Sequence, residues 1–162
     1  MYSKTLDNFA EVAAAKAAFS RDEPLAFFIS AMMAGAYVGI GIILIFTLGQ
    51  QIDPSLRSLV MGACFGIALT LVIFAGSDLF TGHTLFMTVG LARGSSNWGA
   101  LSRSWLLSWL GNLCGSVLLA FLFWLAGGGQ VLKQGADLIY GASALKMSAP
   151  AVALVARGAL CN

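Results

Sequence analysis

Apolar residues fill four stretches of the chain, and polar turns separate them. Residues 25–48 contain no charged side chain, and residues 105–125 form a second uninterrupted run with Trp105 and Trp124 at its ends. A bilayer core needs about 20 apolar residues per helix. Both runs therefore predict transmembrane helices, with the two tryptophans as interface anchors. A last apolar run, residues 147–162, is short for a span.

The remaining stretch, residues 58–92, is apolar but interrupted. Glycine, serine, aspartate, threonine and histidine occur between Gly76 and Thr84, and apolar sequence then resumes. This stretch is too long for one ordinary span and too short for two spans with a turn. It therefore predicts one helix broken within the membrane. Irregular backbone at that depth is tolerated where protein buries it or where it lines a cavity, and transporters build solute sites at such breaks.

The first 23 residues precede the predicted transmembrane domain, residues 24–162. Within them, residues 5–19 place apolar side chains and Lys16 at helical spacing, which predicts an amphipathic helix at the membrane surface. Asp22, Glu23 and Pro24 then mark the start of the first span, since proline and acidic residues suit the first helical turn.

Composition sets the class of protein. Of 162 residues, 59% are hydrophobic and 10% are charged, and the mean hydropathy is +0.86. These values predict an all-α, polytopic membrane protein and no nucleic-acid partner. Cys64, Cys114 and Cys161 lack paired spacing and are interpreted as small buried apolar residues. No nucleophile–base pair or metal-ligand cluster is present, so we expect no enzyme activity, metal or cofactor.

The positions of the charged residues and of the glycines predict how the chain is oriented in the membrane and how its helices pack. More cations fall on one side of the predicted spans (Lys4, Lys16, Arg21, Arg93 and Arg103) than on the other (Arg57, Lys133 and Lys146). The positive-inside rule then puts the N-terminus in the cytoplasm. Small residues four apart in three spans predict helices that pack backbone to backbone: Gly35 with Gly39, Gly62 with Gly66, and Gly111 with Gly115.

The polar residues of the break allow two interpretations each. Ser77 and Asp78 stand where a second half-helix would begin, so either could cap it, which we favour over a functional acid at membrane depth. Thr81 could cap as well, or offer its hydroxyl to a solute. The positive end of a half-helix favours anions. His83 is the only histidine; a helix-facing position is favoured over a proton relay.

Residues outside the polar break are also candidates. Asn112 is expected to make an interhelical hydrogen bond. Lys146 could extend to the interface, or raise the local concentration of anions at a vestibule. Phe65, Leu69 and Phe80 could narrow a pore, or could simply be core residues.

Four segments carry a family resemblance: AGAYVGIGIILIFTLG, MGACFGIALTLVIFAGSDLFTGHT, WLGNLCGS and the terminal RGALCN. They resemble the formate/nitrite transporter family, and their sequences are most similar to those of its bacterial nitrite channels. The resemblance implies an aquaporin-like protomer with two inverted halves, assembled as a homopentamer with one pore per protomer. It also implies transport of small monovalent anions, namely nitrite, formate or hydrosulfide, across the bacterial inner membrane.

The resemblance also implies roles for particular residues. Leu79, Phe80 and Thr81 would lie in a loop beside the pore centre, with Thr81 directed toward a central histidine. The remaining roles would be an outer constriction at Phe65, an inner constriction at Leu69, an anion-attracting lysine at Lys146 and the fourth-helix asparagine at Asn162. His83 does not match the family's central histidine.

Family members continue beyond the equivalent of Asn162, through a second broken helix that carries the central histidine. We therefore expect that these 162 residues alone do not conduct nitrite selectively. One alternative is a truncated, non-transporting module that associates with full-length partners through its glycine faces. Another is a membrane subunit of a redox enzyme, which the single histidine and the absence of paired cysteines disfavour.

Overall fold

The computed structural model describes residues 2–161, which fold into helices joined by turns and contain no strand. The helices within that range are α1 (Tyr2–Asp22), α2 (Pro24–Gly49), α3 (Pro54–Phe74), α4 (Phe80–Arg93), α5 (Trp98–Leu125), α6 (Ala136–Met147) and α7 (Ala151–Cys161). The all-helical prediction is confirmed. The interruption predicted between Gly76 and Thr84 is shorter in the structure: it covers residues 75–79, and residues 80–84 are helical.

Three helices are long and apolar enough to cross a membrane: α2, α3 and α5. The pair α6 and α7 would add a fourth span by length and composition, but its two helices meet at 108°. The chain is therefore a multi-pass membrane protein. The 21 residues of α3 alone reach the length of a span.

Local side chains cap two of the helices. Before α3, the carboxylate of Asp53 accepts hydrogen bonds from the Ser55 N–H at 2.9 Å and from the Ser55 hydroxyl at 2.6 Å. Before α5, Asn97 Oδ1 accepts a hydrogen bond from the Ala100 N–H at 2.9 Å. Each contact satisfies a backbone donor that the first turn of a helix leaves unpaired.

The chain forms two compact units. The first unit contains residues 2–36 and 72–117, and the second contains residues 37–71 and 118–161. Helices α2, α3 and α5 each contribute residues to both units.

In the first unit, α1 packs against α4. Asp7 lies 3.4 Å from Arg93 at one end, and Phe9 meets Phe86 edge to face in the middle. Ala13 packs against Gly90 and belongs to a buried cluster of α1, α4 and α5 residues: Ala13, Met87, Ala100 and Leu101. The apolar face predicted for α1 therefore packs on protein, while the position of α1 at a membrane surface stays a prediction.

Also in the first unit, α2 and α5 cross at backbone distance. A methyl group on Gly115 would collide with the Met32 carbonyl oxygen, and one on Gly35 would collide with the Asn112 backbone. Gly111 likewise lies against Ala31. The predicted close packing is therefore confirmed for these two helices, because only glycine leaves room for such an approach.

In the second unit, the glycine prediction fails for α3. A Cβ added at Gly62 or Gly66 would meet nothing within 4 Å, whereas one at Gly41 would meet the side chain of Ala68. The close contact on α3 therefore comes from its alanine, because the spacing of two glycines does not show which face of a helix is covered.

The remaining contacts of the second unit lie at its turns. Gln51 Nε2 donates to Gln130 Oε1 at 2.9 Å, and Arg57 Nε donates to the Gly49 carbonyl at 2.7 Å. Between α5 and α6, three consecutive glycines, residues 127–129, adopt positive φ angles that other residues avoid.

The cysteine prediction is wrong for Cys114, which is exposed, and Cys64 is only partly buried. Both are free thiols. Cys114 lies on α5, a helix with an apolar surface on several sides, so an apolar sequence context does not by itself mean burial inside the protein.

Candidate functional site at the break between α3 and α4

The chain leaves α3 through a glycine. Gly76 has φ of +64°, and its N–H donates to the Ile73 carbonyl while the Ser77 N–H donates to the Val72 carbonyl. This pair of bonds is the Schellman motif, which satisfies the last carbonyls of a helix and favours glycine at the left-handed position. The sequence of the break therefore ends α3 by a local mechanism.

By contrast, α4 begins with the help of α5. Asn112 Oδ1 accepts a hydrogen bond from the Phe80 N–H at 2.9 Å. The same amide donates through Nδ2 to the Asp78 carbonyl at 3.0 Å and to the Ala31 carbonyl of α2 at 2.8 Å. The predicted interhelical role of Asn112 is confirmed. One side chain thus joins α2, α5 and the break.

The favoured prediction that Ser77 or Asp78 caps α4 is wrong. Leu79 occupies the capping position, and no side chain of the break bonds the first turn. The carboxylate of Asp78 instead accepts hydrogen bonds from Lys16 and His83, and Asn112 already accepts the hydrogen bond of the Phe80 N–H.

Asp78 is 1% exposed. Its Oδ1 accepts hydrogen bonds from Lys16 Nζ at 2.6 Å and from His83 Nε2 at 3.0 Å. A buried carboxylate without partners would cost several kcal/mol or change its protonation state. Lys16, which α1 brings to the break, therefore supplies the charge that balances this acid.

His83 lies within the helix packing at 3% exposure. Its Nδ1 is 2.7 Å from the Ser104 hydroxyl, and its ring meets Phe27 edge to face. With Nε2 protonated toward Asp78, a neutral ring accepts the Ser104 hydrogen at Nδ1. This arrangement agrees with the helix-facing interpretation of His83.

Of the three residues expected in a loop beside the pore centre, only Leu79 precedes α4, whereas Phe80 and Thr81 lie in its first turn, so the loop prediction is wrong for those two. Leu79 and Phe80 are half-buried, and the Phe80 ring packs edge to face against Trp105 at 6.2 Å between centroids. Thr81 is exposed, and its hydroxyl has no hydrogen-bond partner among residues 2–161. The first turn of α4 is thus fixed in position while Thr81 remains accessible.

Other predicted site residues belong to the second unit. Phe65 is half-buried beside Gly41, and Leu69 is 48% exposed. Lys146 lies in the last turn of α6, exposed, with no ion-pair partner in the described part of the chain. Asn162 lies outside the described residues. The pore roles of these four residues stay predictions.

Sequence reasoning missed Lys16 and Ser104 as partners of the break. A signal for Lys16 was present, because it shares the apolar helical spacing of Phe9 and Ala13 on α1. A cation on an apolar face indicates a buried counter-charge. Ser104 gave no comparable signal, because several serines occur close together between residues 95 and 108 and nothing in the sequence distinguishes this one.

Comparison with known proteins supports the helical fold. The family model described as formate/nitrite transporter matches residues 3–162. The "Nitrite transporter NirC" of Escherichia coli is 52% identical over the whole chain, and the "Formate channel FocA" of Escherichia coli is 37% identical over 107 residues, or 64% of the chain. A solved "FNT family ion channel" superposes with a TM-score of 0.87 at 51% identity, covering 93% of this chain and 60% of that one.

These features define a helical, multi-pass membrane protein with a helix break held by a buried polar network. The chain belongs to the formate/nitrite transporter family. It spans 60% of the length of the NirC protein that it matches and 37% of the FocA protein.

Proposed function

We propose that these residues form one part of the pore wall of a channel for small monovalent anions, with nitrite as the main substrate. The observation that carries the proposal is the start of α4, where Asn112 fixes the backbone and Thr81 stays exposed. Neither the hydroxyl nor the N–H of Thr81 has a partner among residues 2–161.

Electrostatics favour an anion at this position. The first turn of a helix carries a partial positive charge, and half-helices in transporters direct such ends at anionic solutes. The one acid of the break, Asp78, would oppose an anion, but Lys16 lies 2.6 Å from its carboxylate. The two free donors of Thr81 could replace part of the hydration of a passing anion.

The relatives support nitrite over formate. The chain is more similar to the nitrite transporter NirC, over its whole length, than to the formate channel FocA. The proposal further includes a homopentamer in a bacterial inner membrane with a cytoplasmic N-terminus. The five cations that predict this orientation, Lys4, Lys16, Arg21, Arg93 and Arg103, all belong to the first unit.

A chimaera tests the proposal. Residues 1–162 would replace the matching segment of Escherichia coli NirC, and nitrite and formate uptake would be measured in proteoliposomes. We expect nitrite uptake well above empty liposomes and faster than formate uptake. The 162-residue chain alone serves as a comparison and is expected to show no selective uptake. An inactive chimaera that inserts and assembles like its parent would contradict the proposal.

A matched pair of threonine variants locates the effect. Thr81→Val removes the free hydroxyl, and we expect a loss of nitrite flux of about two- to tenfold, the worth of one hydrogen bond. Thr88→Val makes the same change on α4, where the hydroxyl already donates to the Thr84 carbonyl. Equal flux losses in the two variants would separate Thr81 from the transport path.

A further inference from the structure

A cavity of about 380 Å³ lies in the first unit, between α1 and the beginning of α5. Its lining includes two arginines, two serines and two small residues: Arg21, Arg103, Ser95, Ser96, Ala17 and Gly99. The cavity is much larger than the roughly 30 Å³ that one water molecule occupies. None of the residues assigned above to the pore lines it.

The charge of the cavity is positive. Arg103 has no carboxylate partner in the described part of the chain, and its guanidinium makes only long hydrogen bonds, at 3.3 Å to the Ala17 carbonyl and 3.4 Å to the Ser20 hydroxyl. Arg21 pairs with Asp22 at 2.7 Å. That hydrogen bond lowers the pKa of Asp22, and the positive charges of Arg21 and Arg103 lower it further. One acid therefore faces two guanidinium groups.

Unpaired donors face the same space. Asn97 caps α5 through the Ala100 N–H, which leaves the Gly99 N–H without a partner among residues 2–161. The Ser96 hydroxyl oxygen is buried and also unpartnered, whereas Ser95 donates to the Ala10 carbonyl. A buried polar atom without a partner is rare in folded proteins and indicates a missing water or ligand.

The surroundings of the cavity are those of a membrane interface. Trp98, next to Gly99, is 72% exposed, and exposed tryptophans concentrate at the level of lipid headgroups. One turn beyond Arg103, an exposed apolar stripe begins on α5 and contains Leu106, Trp109, Leu113 and Val117. An acyl chain could lie along that stripe while its headgroup occupies the cavity.

We propose that this cavity binds the phosphate group of an anionic phospholipid. Guanidinium groups bind phosphate oxygens through paired N–H donors, and the N–H groups that begin a helix favour the same anion. The apolar stripe on α5 favours a lipid as the source of the phosphate over free inorganic phosphate. This site is separate from the proposed anion pore and does not depend on it.

Native mass spectrometry of the purified protein, delipidated and then mixed with equal amounts of phosphatidylglycerol and phosphatidylcholine, tests the proposal. We expect phosphatidylglycerol to bind in preference to phosphatidylcholine. Arg21→Gln and Arg103→Gln should each weaken phosphatidylglycerol binding roughly fivefold, the contribution of one cation near an anionic lipid. Arg93→Gln is the matched control, since Arg93 pairs with Asp7 and does not line the cavity. Equal weakening by Arg93→Gln, or no preference for phosphatidylglycerol, would overturn the proposal.

Two further experiments test whether loss of binding reflects misfolding and whether the phosphate comes from a lipid or from the free ion. Ser96→Asp places a carboxylate in the cavity that both arginines line, so we expect a folded protein with an unchanged melting temperature or a higher one, and without bound phosphatidylglycerol. Phosphatidylglycerol binding by that folded variant would contradict the site. Inorganic phosphate is expected to compete only weakly with the lipid. If phosphate alone raises the melting temperature as much as phosphatidylglycerol does, the lipid assignment is wrong and the ligand is the free ion.

Discussion

Helices α3 and α4, the two parts of the interrupted apolar stretch, begin in different ways. The first turn of α3 is capped by its neighbour Asp53, two residues before Ser55 in the sequence. The first turn of α4 is capped by Asn112, 32 residues later and on another helix. An exposed helix start can rely on water and a local side chain, but a buried start within an apolar region needs a polar partner from a packed neighbour.

This difference explains which residues carry the structure of the break. The hydrogen bond that caps α4 forms only if α5 holds Asn112 in the right position. That position depends on how closely α5 approaches α2. Perturbing the helix crossing, the amide itself and the local cap of α3 should therefore produce effects of decreasing size.

The largest effect is expected at the crossing of α2 and α5. Gly115→Ala places a methyl group against the Met32 carbonyl, so the helices must separate. We expect a loss of about 3 kcal/mol in the free energy of unfolding, the upper part of the usual range for overpacking. Unfolding in mixed micelles with increasing denaturant would measure it.

Gly62→Ala on α3 is the control, because nothing lies within 4 Å of the added methyl group. Alanine is also a better helix former than glycine, by about 1 kcal/mol. We therefore expect unchanged or slightly higher stability. Similar losses in the two variants would mean that helix approach does not support the break.

A smaller effect is expected at the amide. Asn112→Leu leaves the Phe80 N–H and the Asp78 carbonyl unpaired and removes a second hydrogen bond to the Ala31 carbonyl, and we expect a loss of about 2 kcal/mol, since each buried unpaired group costs roughly 1–3 kcal/mol before relaxation. Hydrogen exchange should accelerate at the Phe80 amide.

Asn97→Leu makes the same chemical change at the start of α5, where the asparagine is exposed and caps its own helix. We expect a loss of about 1 kcal/mol, typical of an N-cap, with faster exchange at Ala100 and not at Phe80. If both variants accelerated exchange at Phe80 to the same extent, the distinction between local and distant caps would not hold.

The smallest effect is expected at Asp53, which is exposed. Hydrogen bonds from Ser55, first from its side chain and then from its N–H, lower the pKa of the Asp53 carboxyl below its usual value of 3.8. A lowered folded-state pKa means that the stabilisation is complete above the unfolded value and is lost as the pH falls through the folded one. Asp53→Ala should therefore be slightly less stable than the parent at pH 7, and the difference should disappear well below pH 3.8. A difference in melting temperature that persists in acid would contradict this assignment.

The sequence predicted the features that depend on neighbouring residues. The start of the first span at residues 22–24, the apolar helices and the interruption after Gly76 could all be identified, because capping chemistry and hydrophobic length are local. The partners of the break could not. Asp78 carried a local capping signal, yet Lys16, 62 residues earlier, forms its ion pair. Asn112 was expected to bond another helix, but nothing in the sequence specified Phe80 or Ala31.

The distant cap has a consequence for biogenesis. A membrane protein is made from its N-terminus, and domains begin to fold during synthesis. When the first turn of α4 leaves the ribosome, Asn112 has not yet emerged, so the Phe80 N–H must wait for another 32 residues to find its partner. The insertion machinery therefore receives α4 before its first turn can be completed. When α5 arrives, Asn112 caps the first turn of α4. The rate of translation therefore sets the time at which the break takes its final structure.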